Sequence, residues 1–356
     1  MQDFIVIGGG MAGTSAAARL AQLGSVTLLE MEDALGYHSS GRSAALFEEN
    51  YGHGPTLDLN RASAAYLREN GYLSPRGLML LGAKGDAEGF ARDVDELGMA
   101  TLELEEARAM VPILNPETVG FTAISGAAED IDTDRMLQDF AKALRAAGGR
   151  TVTKAPVTAI ARISGGWQVT AGGETYEGRN LVNAGGAWAD QVAALAGVAA
   201  IGLQPKRRSM ARLPAPGGHD VSGWPMLMGA GETWYAKPDA GKLLVSPADA
   251  DPVEPHDAYA DDMVLAEGLA RYEEMVTEPV TRVESNFAGL RSFVADGTLV
   301  LGPDPDQPDF IWCAGQGGYG IMTAPSASQL IADLVAGRRP ALDAAVVAAL
   351  LPDRLR

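Results

Sequence analysis

The pattern of apolar and polar positions begins with an unbroken hydrophobic run at residues 4–7, followed by a glycine turn at 8–13. A short apolar run with no polar alternation predicts a strand covered on both faces. Residues 14–23, rich in alanine and leucine, predict a helix, and 26–29 a second buried strand. The chain therefore starts with a βαβ unit. Apolar spacing combined with helix formers predicts further helices over 57–69, 87–97, 105–111, 135–147, 262–276 and near 326–336.

Strands are predicted at 151–153, 157–162 and 167–170, with Gly165-Gly166 turning a hairpin. Between 209 and 246 short β-like runs such as 233–236 and 242–246 alternate with Pro and Gly turns. That pattern suits an antiparallel sheet covered by helices. A strand at 310–314, a glycine turn and a helix follow, and no internal repeat is present.

The opening turn reads Gly8-Gly9-Gly10-Met11-Ala12-Gly13, a G-x-G-x-x-G spacing between a strand and a helix. Glycines there permit the tight turn, close backbone approach to a pyrophosphate and close helix packing, and the helix N-terminus at Met11 and Ala12 faces the phosphates. Glu30 ends the second strand 22 residues after Gly8, where a carboxylate accepts hydrogen bonds from a ribose diol. The loop implies a dinucleotide without choosing FAD or NAD, since both carry the same ADP half. Two remote loops imply an extended ligand: Asn183-Ala184-Gly185-Gly186-Ala187-Trp188 after an apolar strand, and Gln316-Gly317-Gly318-Tyr319-Gly320-Ile321 before a helix.

The expected fold is α/β with an α+β substrate domain: a Rossmann-like cofactor-binding domain interleaved with a substrate domain built on an antiparallel sheet covered by helices. The signals divide the chain into 1–75, 145–205 and 290–356 for the cofactor and 76–144 and 206–289 for the substrate.

Composition narrows the function. The 356 residues are 47% hydrophobic and 21% charged, as in a folded globular protein. A formal charge of -18 argues against a nucleic-acid partner, which clustered Lys and Arg would have to hold. One cysteine, Cys313, forms no internal disulfide, and with four scattered histidines (His38, His53, His219 and His256) no metal site is expected. No apolar run reaches membrane-spanning length, and the N-terminus lacks a leader pattern. A cytoplasmic protein is expected, with peripheral membrane contact left open.

Several separated motifs then occur together: Gly36-Tyr37-His38-Ser39-Ser40-Gly41-Arg42-Ser43-Ala44-Ala45 after Glu30, the Asn183 loop, Leu203-Gln204-Pro205-Lys206-Arg207-Arg208-Ser209, Tyr235-Ala236-Lys237-Pro238-Asp239-Ala240-Gly241, Gly289-Leu290-Arg291-Ser292-Phe293, and the Gln316 loop. In this order they resemble the D-amino-acid oxidase superfamily of flavoproteins, and within it are most similar to bacterial D-arginine dehydrogenases. The resemblance covers nearly the whole chain. It implies extended, non-covalent FAD, with Gly41, Arg42, Ser43, Ala44 and Ala45 along the pyrophosphate and flavin, Val157, Ala184, Gly185 and Trp188 at the cofactor, and Arg291 and Gly317 to Ile321 near the redox end. Arg42 also suits a surface ion pair.

It further implies a small amino-acid substrate, its carboxylate held by Arg208 and Arg291 with a phenolic hydrogen bond from Tyr235. Planar guanidinium groups pair a carboxylate bidentately. Tyr51, flanked by Gly52 and Gly54, matches a tyrosine of a mobile covering loop, and Gln316 is aimed at the flavin or the substrate amine. The implied reaction is oxidative deamination of a D-amino acid by hydride transfer to flavin, giving an imino acid that hydrolyses to a 2-oxo acid and ammonia. Oxidation of a glycine- or sarcosine-type amine, or of a 2-hydroxy acid, remains open on the same fold; the complete carboxylate-binding set argues against a non-catalytic dinucleotide sensor. The electron acceptor, whether oxygen, quinone or protein, is carried by no motif. Leu78 stands where the resemblance predicts a guanidinium-binding glutamate, which puts arginine preference in doubt; Glu48 either replaces that acid from another direction or faces solvent.

Overall fold

The computed structural model describes residues 1–356 and contains two eight-stranded sheets and a three-stranded one. The first sheet is built where the sequence is most continuously apolar. Strand Gln2–Ile7 pairs in parallel with Val26–Leu29 on one side and Glu174–Asn183 on the other. Arg150–Val152 and Phe310–Ala314 extend the parallel set outward. Val157–Ile163 and Gly166–Ala171 form the expected hairpin and join the first half of Glu174–Asn183 antiparallel. Helices Met11–Leu20, Thr133–Ala146 and Ala324–Val335 cover one face through Met11, Leu20, Met136, Phe140 and Leu330. The opposite face packs Ile5, Leu181, Trp167, Phe310 and Val192.

The second sheet runs Ser285–Phe293, Gln204–Leu213, Lys242–Ser246, Tyr235–Asp239, Met226–Gly229, Leu78–Ala83, Val119–Ser125 and Ala100–Leu102. Its only parallel neighbours are Met226–Gly229 and Leu78–Ala83. Helices Leu104–Met110 and Asp262–Glu274 cover one face through Ala107, Leu265 and Tyr272. Strand alternation sends Leu78, Met226, Met228, Tyr235 and Met210 to the other face. Leu46–Phe47, Glu129–Ile131 and Leu73–Pro75 make the small third sheet.

The mixed α/β architecture agrees with the expectation, but three of the expected domain bounds do not fit the elements. The bounds at 205/206 and 289/290 fall inside strands Gln204–Leu213 and Ser285–Phe293. Helix Thr133–Ala146 was expected on the substrate side, yet its apolar stripe packs in one core with the first helix. Apolar spacing identifies such a stripe without saying what it packs against. Strands Leu78–Ala83 and Val119–Ser125 were not anticipated from the chain, although both lie inside the second sheet.

Candidate active site

The carboxyl ends of three parallel strands, Ile7, Leu29 and Asn183, lie side by side, and the loops leaving them build the first cleft. Gly8 has φ +105, and a Cβ there would overlap the Ala184 carbonyl. A Cβ on Gly13 would strike the Gly8 carbonyl, so Gly13 secures helix-to-loop packing without lining the cleft. Gly8, Gly10, Glu30, Val157, Ala184, Gly185 and Trp188 line a cleft of about 940 Å³. The buried Glu30 carboxylate accepts from Gly9 N at 2.6 Å and Glu32 N at 2.8 Å. A carboxylate offers about four acceptor sites, so capacity remains for a ribose diol. His38 forms a wall here, 2.9 Å from Glu32 Oε1 and with its ring 4.7 Å from that of Trp188.

A second cleft of about 890 Å³ shares Gly10, Ser40 and Ala184 with the first. Met11, Ala12, Arg42, Ser43, Ala44, Arg291, Gln316, Gly317, Gly318, Gly320 and Ile321 also line it. Through the shared Gly10, Ser40 and Ala184 the two clefts form one extended trench. Ser40 and Ser39, neither anticipated individually, hold its floor: Ser40 Oγ accepts from Met11 N at 2.9 Å, and Ser39 Oγ donates to the Leu290 carbonyl at 2.7 Å. Three buried polar atoms on this wall have no protein partner, namely Arg208 Nε, Ser292 Oγ and Gln316 Oε1. Such orphans are rare in folded proteins, and their concentration around one trench fits a polar, extended cofactor such as FAD.

Arg42 makes the ion pair that the sequence left open for it. Its guanidinium donates to Asp257 Oδ1 at 2.5 Å and to the carbonyls of Ala258 and Ala288 at 2.9 and 3.0 Å. The ion pair holds the Asp257 carboxyl below its ordinary pKa, and the Arg42 cation ties the Ser39–Arg42 turn to the second sheet while lining the second cleft. Gly41 and Tyr319 lie off the clefts: Gly41 backs onto the Gly36 carbonyl, and the Tyr319 ring packs 5.3 Å from that of Tyr51. Cys313 is buried against the Ala12 carbonyl, and burial pushes its thiol up to about 12.

A third cavity, about 700 Å³, opens from the second across Ser43, Ala44, Arg208, Tyr235, Arg291 and Gly318. Ala45 and Tyr51 line only this cavity, beside Leu46, Leu78, Ile131, Met226, Met228, Met322, Glu48 and Glu232. Ala45 holds a left-handed φ of +47, and Lys237, itself paired with Asp130 at 2.7 Å, donates to the Ala44 carbonyl below it. Burial raises the Tyr51 phenol, keeping it a donor. At Arg291 burial opposes the charge, but the facing Tyr235, Tyr51 and Glu232 outweigh it and the pKa lies above the ordinary arginine value.

The run Lys206-Arg207-Arg208 shows how a strand sorts its charges. Arg207 points to one face and pairs with Asp249 at 3.1 Å and Asp251 at 2.8 Å. Arg208, on the other face, has its guanidinium 5.8 Å from the Tyr235 ring and no carboxylate partner. The structure thus brings Arg208, Tyr235, Arg291, Tyr51 and Gln316 together around the second and third cavities. The methionine wall and the inward orientation of Glu48 carried no separate signal in the sequence.

Residues 3–334 match the family model of FAD dependent oxidoreductases designated DAO, and the chain belongs to that family. Glycine oxidase of Bacillus licheniformis is 24% identical over 359 residues, spanning 94% of this chain and 93% of its own. Among solved structures, glycine oxidase from Geobacillus kaustophilus superposes with a TM-score of 0.82 at 23% identity, covering 98% of both chains. L-proline dehydrogenase from P. horikoshii gives 0.81 at 21% identity, over 99% of this chain and 97% of that one. The protein is an FAD-dependent oxidoreductase. No helix is long and apolar enough to cross a membrane.

Proposed function

We propose that this enzyme oxidises a D-amino acid at its α-carbon. The observation that carries the reading is the meeting of Arg208 and Arg291, neither paired with a carboxylate, at the junction of the cofactor trench and the third cavity. A half-buried cation pair without an anion is costly unless a ligand supplies one, and a substrate carboxylate does so bidentately. Tyr235 and Tyr51 donate phenolic hydrogen bonds beside it, and Gln316 Oε1 offers a free acceptor to the substrate amine. Bound FAD supplies the two-electron acceptor for the α-hydride. The protein contributes orientation and exclusion of water, and an amine bound neutral needs no strong base. Loss of hydride and a proton leaves an imino acid, which water converts to a 2-oxo acid and ammonia.

The D configuration rests on the motif resemblance to bacterial D-arginine dehydrogenases. A substrate bearing a side chain is favoured by the third cavity, which glycine alone would leave unfilled. A second reading, oxidation of a glycine- or sarcosine-type amine, is favoured by the likeness to glycine oxidase along the chain. Anaerobic bleaching of the purified flavoprotein by D- and L-amino acids, glycine, sarcosine and 2-hydroxy acids separates these. Reduction by D-amino acids with side chains is expected; bleaching only by L-enantiomers, or only by glycine and sarcosine, overturns the reading. Aerobic peroxide release set against quinone-dye reduction identifies the acceptor class.

A further inference from the structure

The turn that carries Tyr51 is tied down more firmly than a covering loop requires. Asn60, on helix Pro55–Glu69, is fully buried, and its Nδ2 donates to the carbonyls of Glu48 at 2.7 Å and Tyr51 at 3.3 Å, the two ends of that turn. Tyr51 N closes the turn by donating to the same Glu48 carbonyl at 3.0 Å. Side chains pin it further: Glu48 Oε2 accepts from the Ser125 hydroxyl at 2.7 Å, Asn50 Nδ2 donates to the Leu97 carbonyl at 3.4 Å, and Arg61 donates to Asn50 Oδ1 at 3.0 Å.

An asparagine is costly where Asn60 stands. Its Oδ1 is buried with no partner, and Leu59, Ala64 and Leu67 on the same helix belong to the apolar core. An unsatisfied buried acceptor destabilises the fold, so packing alone would favour an apolar side chain. What the amide adds is a pair of donors for two backbone carbonyls outside the helix. The helix that bears it is itself fixed, since the Ser63 hydroxyl donates to Ser326 Oγ at 2.8 Å and so joins it to helix Ala324–Val335.

The consequence falls on the substrate site. Tyr51 lines the third cavity, and its phenol faces Arg291. Gly52 at φ +125 and Gly54 at φ +48 follow the turn, so the backbone freedom they confer lies between Tyr51 and the start of the helix, outside the segment that Asn60 holds. We propose that Asn60 is a positioning residue: it holds the Glu48–Tyr51 turn closed before any ligand arrives, so that the Tyr51 phenol is preset beside Arg291 and the turn is a fixed wall of the cavity instead of a mobile cover. The proposal rests on the reading of Arg291 and Tyr51 as carboxylate binders. A preset donor spares the ligand the cost of ordering it, so its loss weakens binding and leaves the chemistry of the bound substrate alone.

The test uses the FAD-loaded enzyme, hydrogen exchange at the Tyr51 amide, and hexanoate as a carboxylate probe titrated calorimetrically. In the parent enzyme the Tyr51 amide should exchange at least about 100-fold more slowly than in an open chain, and saturating hexanoate should change that rate by less than about threefold. Asn60→Leu, close in shape and without a donor, should speed this exchange and weaken hexanoate by about 10-fold each. With an amino acid that reduces the flavin, KM should rise by a similar factor while kcat stays within about twofold. In a Tyr51→Phe background the same substitution should alter hexanoate affinity by less than about twofold, because the phenol it positions is gone. Rapid Tyr51 exchange in the free parent enzyme, slowed by hexanoate or not, overturns the proposal, as does an Asn60→Leu effect that persists undiminished beside Tyr51→Phe. The parent exchange rate decides the matter even where Asn60→Leu fails to fold. Slow exchange with no hexanoate binding removes the carboxylate reading and leaves the anchored turn.

Discussion

Arg291 is held in its cleft by no ion pair, and its guanidinium is flanked by two phenols, Tyr235 and Tyr51. Its substitution therefore tests binding more than folding. Arg291→Ala should raise KM by about 100-fold, the scale of two charge-assisted hydrogen bonds, while the purified protein keeps bound FAD and its visible spectrum. A colourless, poorly folded variant would make Arg291 a structural residue. Cys313 gives a pH prediction. An unfolded thiol ionises near about 8.5, whereas burial in the fold pushes this one up to about 12. Between those values the folded state holds a proton the unfolded chain has lost, so stability falls as pH rises. The contribution is complete below about pH 8.5, and the loss should reach about 2 kcal/mol by pH 10. Burial raises Tyr51 in the same direction. Denaturant unfolding from pH 7 to 10.5 should show the decline, and Cys313→Ala should flatten it; an unchanged slope removes Cys313 as its source.

The Gln204–Leu213 strand tests how an element assigns roles to adjacent like charges. Arg207→Ala leaves Asp249, 3% exposed in its side chain, without its guanidinium. A broken buried pair costs about 3–5 kcal/mol, so this variant should unfold at lower denaturant while the substrate KM of the folded fraction stays near the parent value. Arg208→Ala should do the reverse, raising KM with little loss of stability. Matching phenotypes in the two variants would refute the assignment by strand face. The same element shows what the sequence disclosed and what it withheld. The G-x-G-x-x-G turn was legible because each glycine answers a local steric demand, at Gly8 against Ala184 and at Gly13 against Gly8. Arg208 and Arg291 were legible through motif resemblance, and the structure places both at the cavity junction. Arg42 carried the same charge, but its partner Asp257 lies 215 residues away and has no local signature. Glu48 likewise depends on Ser125, 77 residues distant, for its inward orientation. Helix Thr133–Ala146 announced its amphipathic stripe, while only the tertiary fold decides which core receives it.

Across the whole molecule, the cofactor trench is lined by loops of the first sheet at Gly10 and Ala184 and by strands of the second at Arg208, Tyr235 and Arg291. FAD held there would lie between the two sheets, with Ser292 among the residues that would hold it and Arg208 and Gln316 at the end where the substrate would meet it. Binding to the folded state alone adds stability by mass action, about 4 kcal/mol at a thousandfold excess over Kd. At about 2.1 cal/mol/K of unfolding entropy per residue, a chain of this length should gain about 5 °C in Tm. The gain should grow with the logarithm of free FAD, since the linkage is logarithmic. ADP, which fills only the Glu30 end, should give a smaller shift, because the orphaned atoms sit along the second cleft. Scanning apoprotein against graded FAD and ADP checks both points. Equal shifts from the two ligands would place nearly all the binding energy in the first cleft and would mean that the Gln316 loop and Arg291 contribute no grip on the cofactor's redox half.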